Sequence, residues 1–480
     1  YLARIGTGLL EPREIFEVLE NLLGTNAAAV LFAPFSGASE RSSSSAPASS
    51  SSKLISSTVT PGDASHNICC FLDIRGPLTR AMCTEALGHV IKRQEALRTT
   101  FVPGKERTLQ VVRAEADPVL SYRELPASSS GDEHIVAEMH ECFARPIDLL
   151  RGPLYRIEML KRGPDHHALA LAIHHSIADG WTVSNFVHDF TTGCLLAWQK
   201  SGNDLSRIKA LRLDFTPLEM SYAQWAAAER ARWTAAELQK HADYWKRRLE
   251  GARLLFRDAP PLQAGPITRW KTEMPSDLAE PMRELAKKNG TTLFVALLAA
   301  FRVALFLWKG EEDVVVGTPV AGRGKSAVRE TMGCFSATVP LRAKIDPRAT
   351  FSEILAAQQL ESVDDFAQAM PFADLAAAVA AGESSARHPV FDVRFAVQNH
   401  PFPGIDIPGI SSRLELVSSG TARFDIACEM TEDGRRLELI WLHRTDVLGS
   451  PDVSELDRIF RGVVGEVGRT PSARPIELKI

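Results

Sequence analysis

Apolar and polar positions follow two different periods along this chain, and the changes of period mark out its elements. Residues 67–74 read as a strand that stops at Gly76-Pro77. Over 78–96 the period lengthens, and Met82, Ala86, Leu87, Val90 and Ile91 share one stripe of a helix. Short extended segments follow at 97–102 and 108–114, and 135–143 predicts another amphipathic helix. Two alternating runs, 154–160 and 168–173, flank Lys161-Arg162-Gly163-Pro164-Asp165 and predict a hairpin. The second run leads directly into His174-His175-Ser176-Ile177-Ala178-Asp179-Gly180, after which 182–200 predicts a helix.

Residues 218–249 predict one or two long Ala-rich helices, with Tyr222, Trp225, Trp233, Tyr244 and Trp245 as anchors. Helices at 277–288 and 291–308 and a strand at 313–318 come next. Further strand-like segments lie at 338–344, 390–398, 413–417, 424–429 and 437–443. Strands and helices interleave in both halves, so the fold class is α/β or α+β with mixed sheets. No fixed-period repeat is visible, which excludes a solenoid. At the start, 9–23 has helical spacing with Pro12 in a first turn. The Ser-rich stretch 36–57 has little to bury and predicts a solvated loop, linker or tether. The expected division is 1–66 as an N-terminal helix plus Ser-rich insertion, then lobes at 67–215 and 216–480.

Composition narrows the classes. Hydrophobic residues make up 45% and charged residues 24%, so the chain can build ordinary cores, and wholesale disorder is excluded. The net charge is −4 with no basic or acidic run, which argues against nucleic acid as a partner. The longest apolar run, 293–308, is interrupted by Arg302 and predicts a buried core helix rather than a membrane span. Seven cysteines without a CxxC predict free, mostly buried thiols in a reducing compartment, and hence a cytoplasmic location. The first residues carry no signal-peptide pattern and no initiator Met, so the chain is expected to come from something longer.

The chemistry concentrates in HHSIADG. An imidazole at the end of a buried strand is held rigidly while the following loop exposes it, and its pKa suits proton transfer near neutrality. Neighbouring histidines past an alternating strand should point to opposite sides, so one can face a cleft and the other the interior. Asp179 would brace the loop through a buried Arg or through backbone amides, and Gly180 would permit the turn. Against this, a single His near a strand end is most often a satisfied polar residue. A metal site from His166, His167, His174 and His175 ranks lower still, because no HExxH or CxxC spacing supplies a third ligand. No GxSxG points to a serine nucleophile.

The string HHSIADG resembles the HHxxxDG signature of the chloramphenicol acetyltransferase-like superfamily, and most of all the condensation domains of nonribosomal peptide synthetases. Other segments match that family in order. KRQEALRTTF at 92–101 resembles RHExLRTxF, and DVVVGTPVAGR at 313–323 resembles its glycine-containing strand and loop. GCFSATVPLR at 333–342 is similar to GxFxNTxxLR, HPVFDVRFAVQN at 388–399 to HPxFxVxFxxQN, and RFDI at 423–426 to a late (K/R)FDL strand. The resemblance covers the chain from about Asn67 onward. Gln94 stands where the pattern has His, and Ala337 where it has Asn.

The resemblance implies two acetyltransferase-like lobes in a V-shaped pseudo-dimer with a central tunnel. Donor and acceptor carrier proteins would dock at its two mouths and deliver phosphopantetheine-bound substrates. An acyl group would pass from one thioester to an amine, or a hydroxyl, forming an amide or ester. It implies His175 as the general base or stabiliser of the intermediate. His174 would be structural, and Asp179 would pair with an arginine, expected to be Arg98 with Arg93 second. Ser176, Trp181, Gly317, Ser336, Ala337 and Gln398 would lie near substrate or tunnel. No cofactor would be bound by the chain itself, which would work as a monomer or inside a larger synthase. The alternatives are a free-standing acyl-CoA-dependent acyltransferase of the same superfamily, although the late DFGWG of plant-type members is missing, and a non-catalytic condensation-like module that recruits a partner.

Overall fold

A computed structural model describes residues 44–47, 64, 66–103, 108–125, 132–201, 215–260, 267–379, 390–398, 404–405, 407–417, 424–433 and 435–480. The helix expected at 9–23 and most of the Ser-rich stretch lie outside the described residues. The chain divides into two compact units. Among the described residues, the first comprises those up to Thr234 together with Ala321–Ser336 and His400–Ser419; the second comprises the rest. Whereas the sequence reading draws one cut at 215/216, the first unit takes up two later segments.

The first unit is built from β1 (Ser44–Pro47), β2 (Asn67–Arg75), α1 (Arg80–Arg93), β3 (Thr99–Pro103), β4 (Thr108–Val112), β5 (Ser121–Glu124), α2 (Asp132–Ala144), β6 (Tyr155–Gly163), β7 (His166–His174), α3 (Gly180–Lys200) and α4 (Tyr222–Arg232). Ser44–Pro47, inside the expected loop, pairs antiparallel with β4 and completes a small sheet in the order β1-β4-β3. Strand addition uses backbone N–H and C=O groups, so a segment without apolar alternation can join an open edge.

The five-stranded sheet has the order β12-β2-β7-β6-β5, where β12 (Ser411–Val417) arrives from far along the chain to pair with β2. The hairpin β6–β7 forms as expected. Strand β7 is buried from His167 to His174 because both sheet faces are covered. Its sequence suits that position. Leu169, Leu171 and Ile173 enter the larger core with α1 and α3, while Ala168, Ala170 and Ala172 face Ile135, Met139 and Phe143 of α2. Alternating large and small residues let one face take bulky side chains while a helix approaches the other closely. Helix α1 starts where Thr79 caps the Met82 amide, and it buries the stripe read from its sequence.

The second unit contains α5 (Ala235–Leu249), β8 (Ile267–Met274), α6 (Ser276–Lys288), α7 (Leu293–Lys309), β9 (Asp313–Val320), β10 (Ala337–Lys344), α8 (Phe351–Ala367), α9 (Phe372–Val379), β11 (Val393–Gln398), β13 (Ile426–Asp433), β14 (Arg436–Arg444) and α10 (Ser450–Arg469). Its six-stranded mixed sheet runs β10-β9-β11-β13-β14-β8, with β11 parallel to both neighbours. Helix α7 is the expected core helix, buried on every side from Val295 to Leu305. Arg302 within it donates to the Val314 and Leu341 carbonyls, and burial draws its pKa down to about 10. Among the described residues no single helix is long and apolar enough to cross a membrane. All seven cysteines are buried and none forms a disulfide.

Candidate functional site

Chain direction places the histidines. The backbone stays extended through His174, held by β2 and β6, and then tightens into a 3-10 turn over His175–Ile177 before α3. His174 is buried at 1% exposure. The Ser176 amide donates to His174 Nδ1 at 3.2 Å, the Ser176 hydroxyl lies 2.9 Å from the same nitrogen, and the ring stacks on His66. An Nδ1 that accepts an amide proton belongs to a ring protonated at Nε2, so His174 is a structural member of the loop. His175 is half-buried. Its backbone N–H donates to the His66 carbonyl at 2.7 Å, and its Nδ1 lies 3.6 Å from Cys334 Sγ. The two rings therefore have the separate surroundings expected of them.

Asp179 organises the loop from its far end. It is buried at 4% exposure and caps α3 by accepting from the Thr182 amide at 2.9 Å, with the Thr182 hydroxyl oxygen 3.0 Å from the same carboxylate oxygen. Its arginine partner is Arg323, not Arg98. Arg323 Nη2 lies 2.9 and 3.2 Å from the two carboxylate oxygens, and the pair is almost wholly buried. Arg98 instead donates to the carbonyls of Ile91, Arg113 and Ala114, tying the end of α1 to the end of β4. Arg93, the second choice, pairs with Asp189 and Glu330. A guanidinium engaged in that way cannot also reach Asp179. The signal that could have found Arg323 was present, since it ends the segment DVVVGTPVAGR.

Arg323 also donates through Nη1 to the carbonyls of Val328 and Thr331 and stacks 4.0 Å over the Phe335 ring. The segment Ala321–Ser336 thus closes around its own arginine and docks on the turn. Thr182 Oγ1 donates to the Gly333 carbonyl at 2.9 Å and lies 3.0 Å from the Gly333 amide, and the Phe335 amide donates to Asp179 Oδ2 at 3.2 Å. Tyr222, fully buried, donates from its hydroxyl to the Ser176 carbonyl at 3.1 Å and lies 3.4 Å from the Cys334 carbonyl. Two glycines permit this packing. Gly322 has φ +62°, and a Cβ there would sit 2.0 Å from the Phe335 carbonyl oxygen; at Gly333 it would meet the Tyr222 ring at 2.3 Å.

Gln94 supports the same segment. Its amide donates to Asp189 Oδ2 at 2.8 Å and to the Glu330 carbonyl at 3.0 Å, and its oxygen accepts from the Met332 amide at 2.9 Å. The departure from His at this position therefore carries two bonds that link the end of α1 to residues 330–332 and one to Asp189 of α3.

Of the other expected site residues, Gly180 opens α3, Ser176 is fully buried in the turn, and Trp181 and Ser336 are half-buried parts of the first unit. Gly317, Ala337 and Gln398 belong to strands of the second unit. Gly317 pairs with Pro340 and Arg394, and a Cβ there would meet the Phe391 ring at 2.0 Å, which gives this glycine a packing role. Ala337 starts β10 opposite Val320, and Gln398 ends β11 opposite Thr431. Arg423, His388 and Asn399 lie outside the described residues. Among the described residues no cluster of three or more His, Cys, Asp or Glu is placed to hold a metal ion. His166 bonds to Asp73 at 2.7 Å, and Arg162 donates to the same carboxylate oxygen.

Residues 51–480 match the family described as Condensation domain, and the chain belongs to that family. It is 29% identical to a linear gramicidin synthase of Brevibacillus parabrevis over 87% of this chain and 5% of the relative. It is 28% identical to phosphinothricin tripeptide synthetase PhsC of Streptomyces viridochromogenes over 78% of this chain and 34% of the relative. The chain thus spans only a small part of the peptide synthetases it matches. Among solved structures, it aligns with the first condensation domain of the calcium-dependent antibiotic synthetase at TM-score 0.75 and 20% identity, covering 91% of this chain and 98% of that one. The X-domain from teicoplanin biosynthesis aligns at TM-score 0.77 and 20% identity, covering 90% and 97%. Both show the fold.

Proposed function

We propose that the chain transfers an acyl group from a carrier-protein phosphopantetheine thioester to the amine, or hydroxyl, of a carrier-bound acceptor, forming an amide or ester in natural-product assembly. The observation that carries this reading is the half-buried His175 on a turn held by Asp179 and Arg323. Family membership and relatives that are peptide synthetases support it.

The chemistry asks little of the protein. A thioester is already activated, and holding two tethered reactants in line supplies up to about 7–11 kcal/mol. His175 adds about 10²–10⁴-fold by taking the amine proton or by stabilising the tetrahedral intermediate. In this scheme the chain needs no resident cofactor, because the activated bond arrives on the carrier's pantetheine arm. Two carrier proteins are then its partners.

The test is intact-mass spectrometry of candidate holo carriers before and after incubation with the chain. The acyl mass should leave one carrier and appear on the other, and His175→Ala should slow this by about 10²–10⁴-fold while carrier binding persists. Transfer from acyl-CoA with none from the carrier would establish the free-standing acyltransferase instead. Near-native turnover by His175→Ala would remove the imidazole from the mechanism.

A further inference from the structure

The residue touching His175 Nδ1 is a thiol, and the surroundings of that thiol are fixed on both sides. Gly333, before it, is bonded through its amide and its carbonyl to the Thr182 hydroxyl, and Phe335, after it, donates its amide to Asp179. The Cys334 carbonyl itself lies within reach of the buried Tyr222 hydroxyl. With its neighbours pinned in this way, Cys334 is buried at 1% exposure and presents Sγ 3.6 Å from Nδ1. That separation is within hydrogen-bond range for sulfur.

Of the two possible directions for this bond, chemistry favours one. Sulfur is a weak acceptor, whereas an unprotonated imidazole nitrogen is a good one, so the bond runs from S–H to Nδ1. A neutral ring that accepts at Nδ1 carries its proton on Nε2. Nε2, the ring nitrogen turned away from Cys334, is then a donor.

We propose that Cys334 is a positioning residue that holds His175 in the Nε2–H form, so that the imidazole acts by donating a hydrogen bond to the oxygen of the tetrahedral intermediate. This rests on the acyl-transfer reading above and chooses between the two roles that reading leaves to the ring. No covalent step passes through the thiol. It keeps its proton; the bond from the acyl carbon to the acceptor nitrogen or oxygen forms, the carbon–sulfur bond breaks, and the acceptor's proton passes to the departing sulfur, which leaves as the pantetheine thiol.

The experiment uses the full chain with ¹⁵N-labelled histidine, with His175→Ala assigning the His175 ring signals. In the wild type the unprotonated nitrogen of His175, which resonates far downfield of the protonated one, should be Nδ1. In Cys334→Ala the ring should shift toward a mixture of both forms, and kcat for carrier-to-carrier transfer should fall about fivefold with KM unchanged. Cys334→Ser, which retains an O–H donor, should restore most of the rate and the ring signature. A downfield Nε2 in the wild type, or an unchanged ring and kcat in Cys334→Ala, overturns the proposal. So does a rate loss in Cys334→Ala that comes with an equal rise in KM and a lowered melting temperature, because that pattern describes packing alone. The ring signature is read without turnover, so failure of the acyl-transfer reading itself would show separately as no carrier-to-carrier transfer by the wild-type chain.

Discussion

In the first unit, β7 lies antiparallel to both of its neighbours, ends at His174 and is followed by residues 175–179 before α3 begins at Gly180. In the second, β14 also lies between two antiparallel partners, ends at Arg444 and is followed by residues 445–449 before α10 begins at Ser450. The two turns share a backbone plan and differ in what fills it. The first carries a half-buried imidazole and a capping carboxylate whose arginine lies 144 positions away. The second has Gly449 at the cap position, with no side chain to cap the helix, and Arg444, fully buried, is neutralised locally by Asp425 and Asp446. The strand–turn–helix corner is therefore a scaffold. Only the first has an ion pair that draws a second segment of chain, Ala321–Ser336, onto the turn.

Three further measurements can break or sharpen this contrast. The largest effect is expected from Asp179→Ala, which leaves the Arg323 guanidinium buried without a counter-charge and uncaps α3. Urea denaturation should show a loss of about 3–5 kcal/mol. A loss below about 1 kcal/mol, the size expected of a cap alone, would mean that the distant pair does not hold the turn.

The next concerns pH and sets two histidines against each other. In the second unit, burial lowers the pKa of His443, so the unfolded chain binds a proton more readily than the folded one. Its stabilising contribution is present above the unfolded value, about pH 6.5, and is lost as pH falls through the folded pKa. In the first unit, the neighbouring Asp189 carboxylate raises the pKa of His188. Its contribution is present below about pH 6.5 and is lost as pH rises through the folded pKa. Unfolding free energies measured from pH 5 to pH 8 should accordingly show a flatter acid limb in His443→Gln and a flatter neutral limb in His188→Asn. Parallel curves for either variant and the wild type would rule out that histidine's part. The smallest effect is expected from Gly449→Ser. The backbone there is extended, and a serine hydroxyl can cap α10, so the second unit should gain about 0.3 kcal/mol. No gain would mean that the Asp452 carboxylate, which already accepts from the Gly449 amide at 2.8 Å, leaves nothing for the cap to add.

Much of this site was legible in the order of residues. The alternation of 168–173 placed a buried strand, the string HHSIADG placed two histidines with opposite surroundings, and Asp179 was recognisable as a brace. The choice of Arg98 failed because charge complementarity in a sequence says nothing about which guanidinium is already engaged. Arg98 is held by three carbonyls of its own neighbourhood, and only the folded chain shows that. The strand Ser44–Pro47 was missed for a related reason, since edge pairing is a backbone interaction that leaves no mark in side-chain pattern. Helix α10 received no assignment from the sequence, although its buried residues, among them Leu456, Phe460, Val463 and Val467, follow helical spacing.

What the sequence determined alone is local: the period of each element, the turn that ends β7, and the residue types at its tip. Those depend on contacts between near neighbours, which spacing encodes. Tertiary structure decided the long-range partnerships: Arg323 on Asp179, Cys334 beside His175, Gln94 on residues 330–332, and β12 on the edge of β2. Each joins segments far apart in the chain, and folding selects among many equivalent donors by which one the packed chain brings within reach.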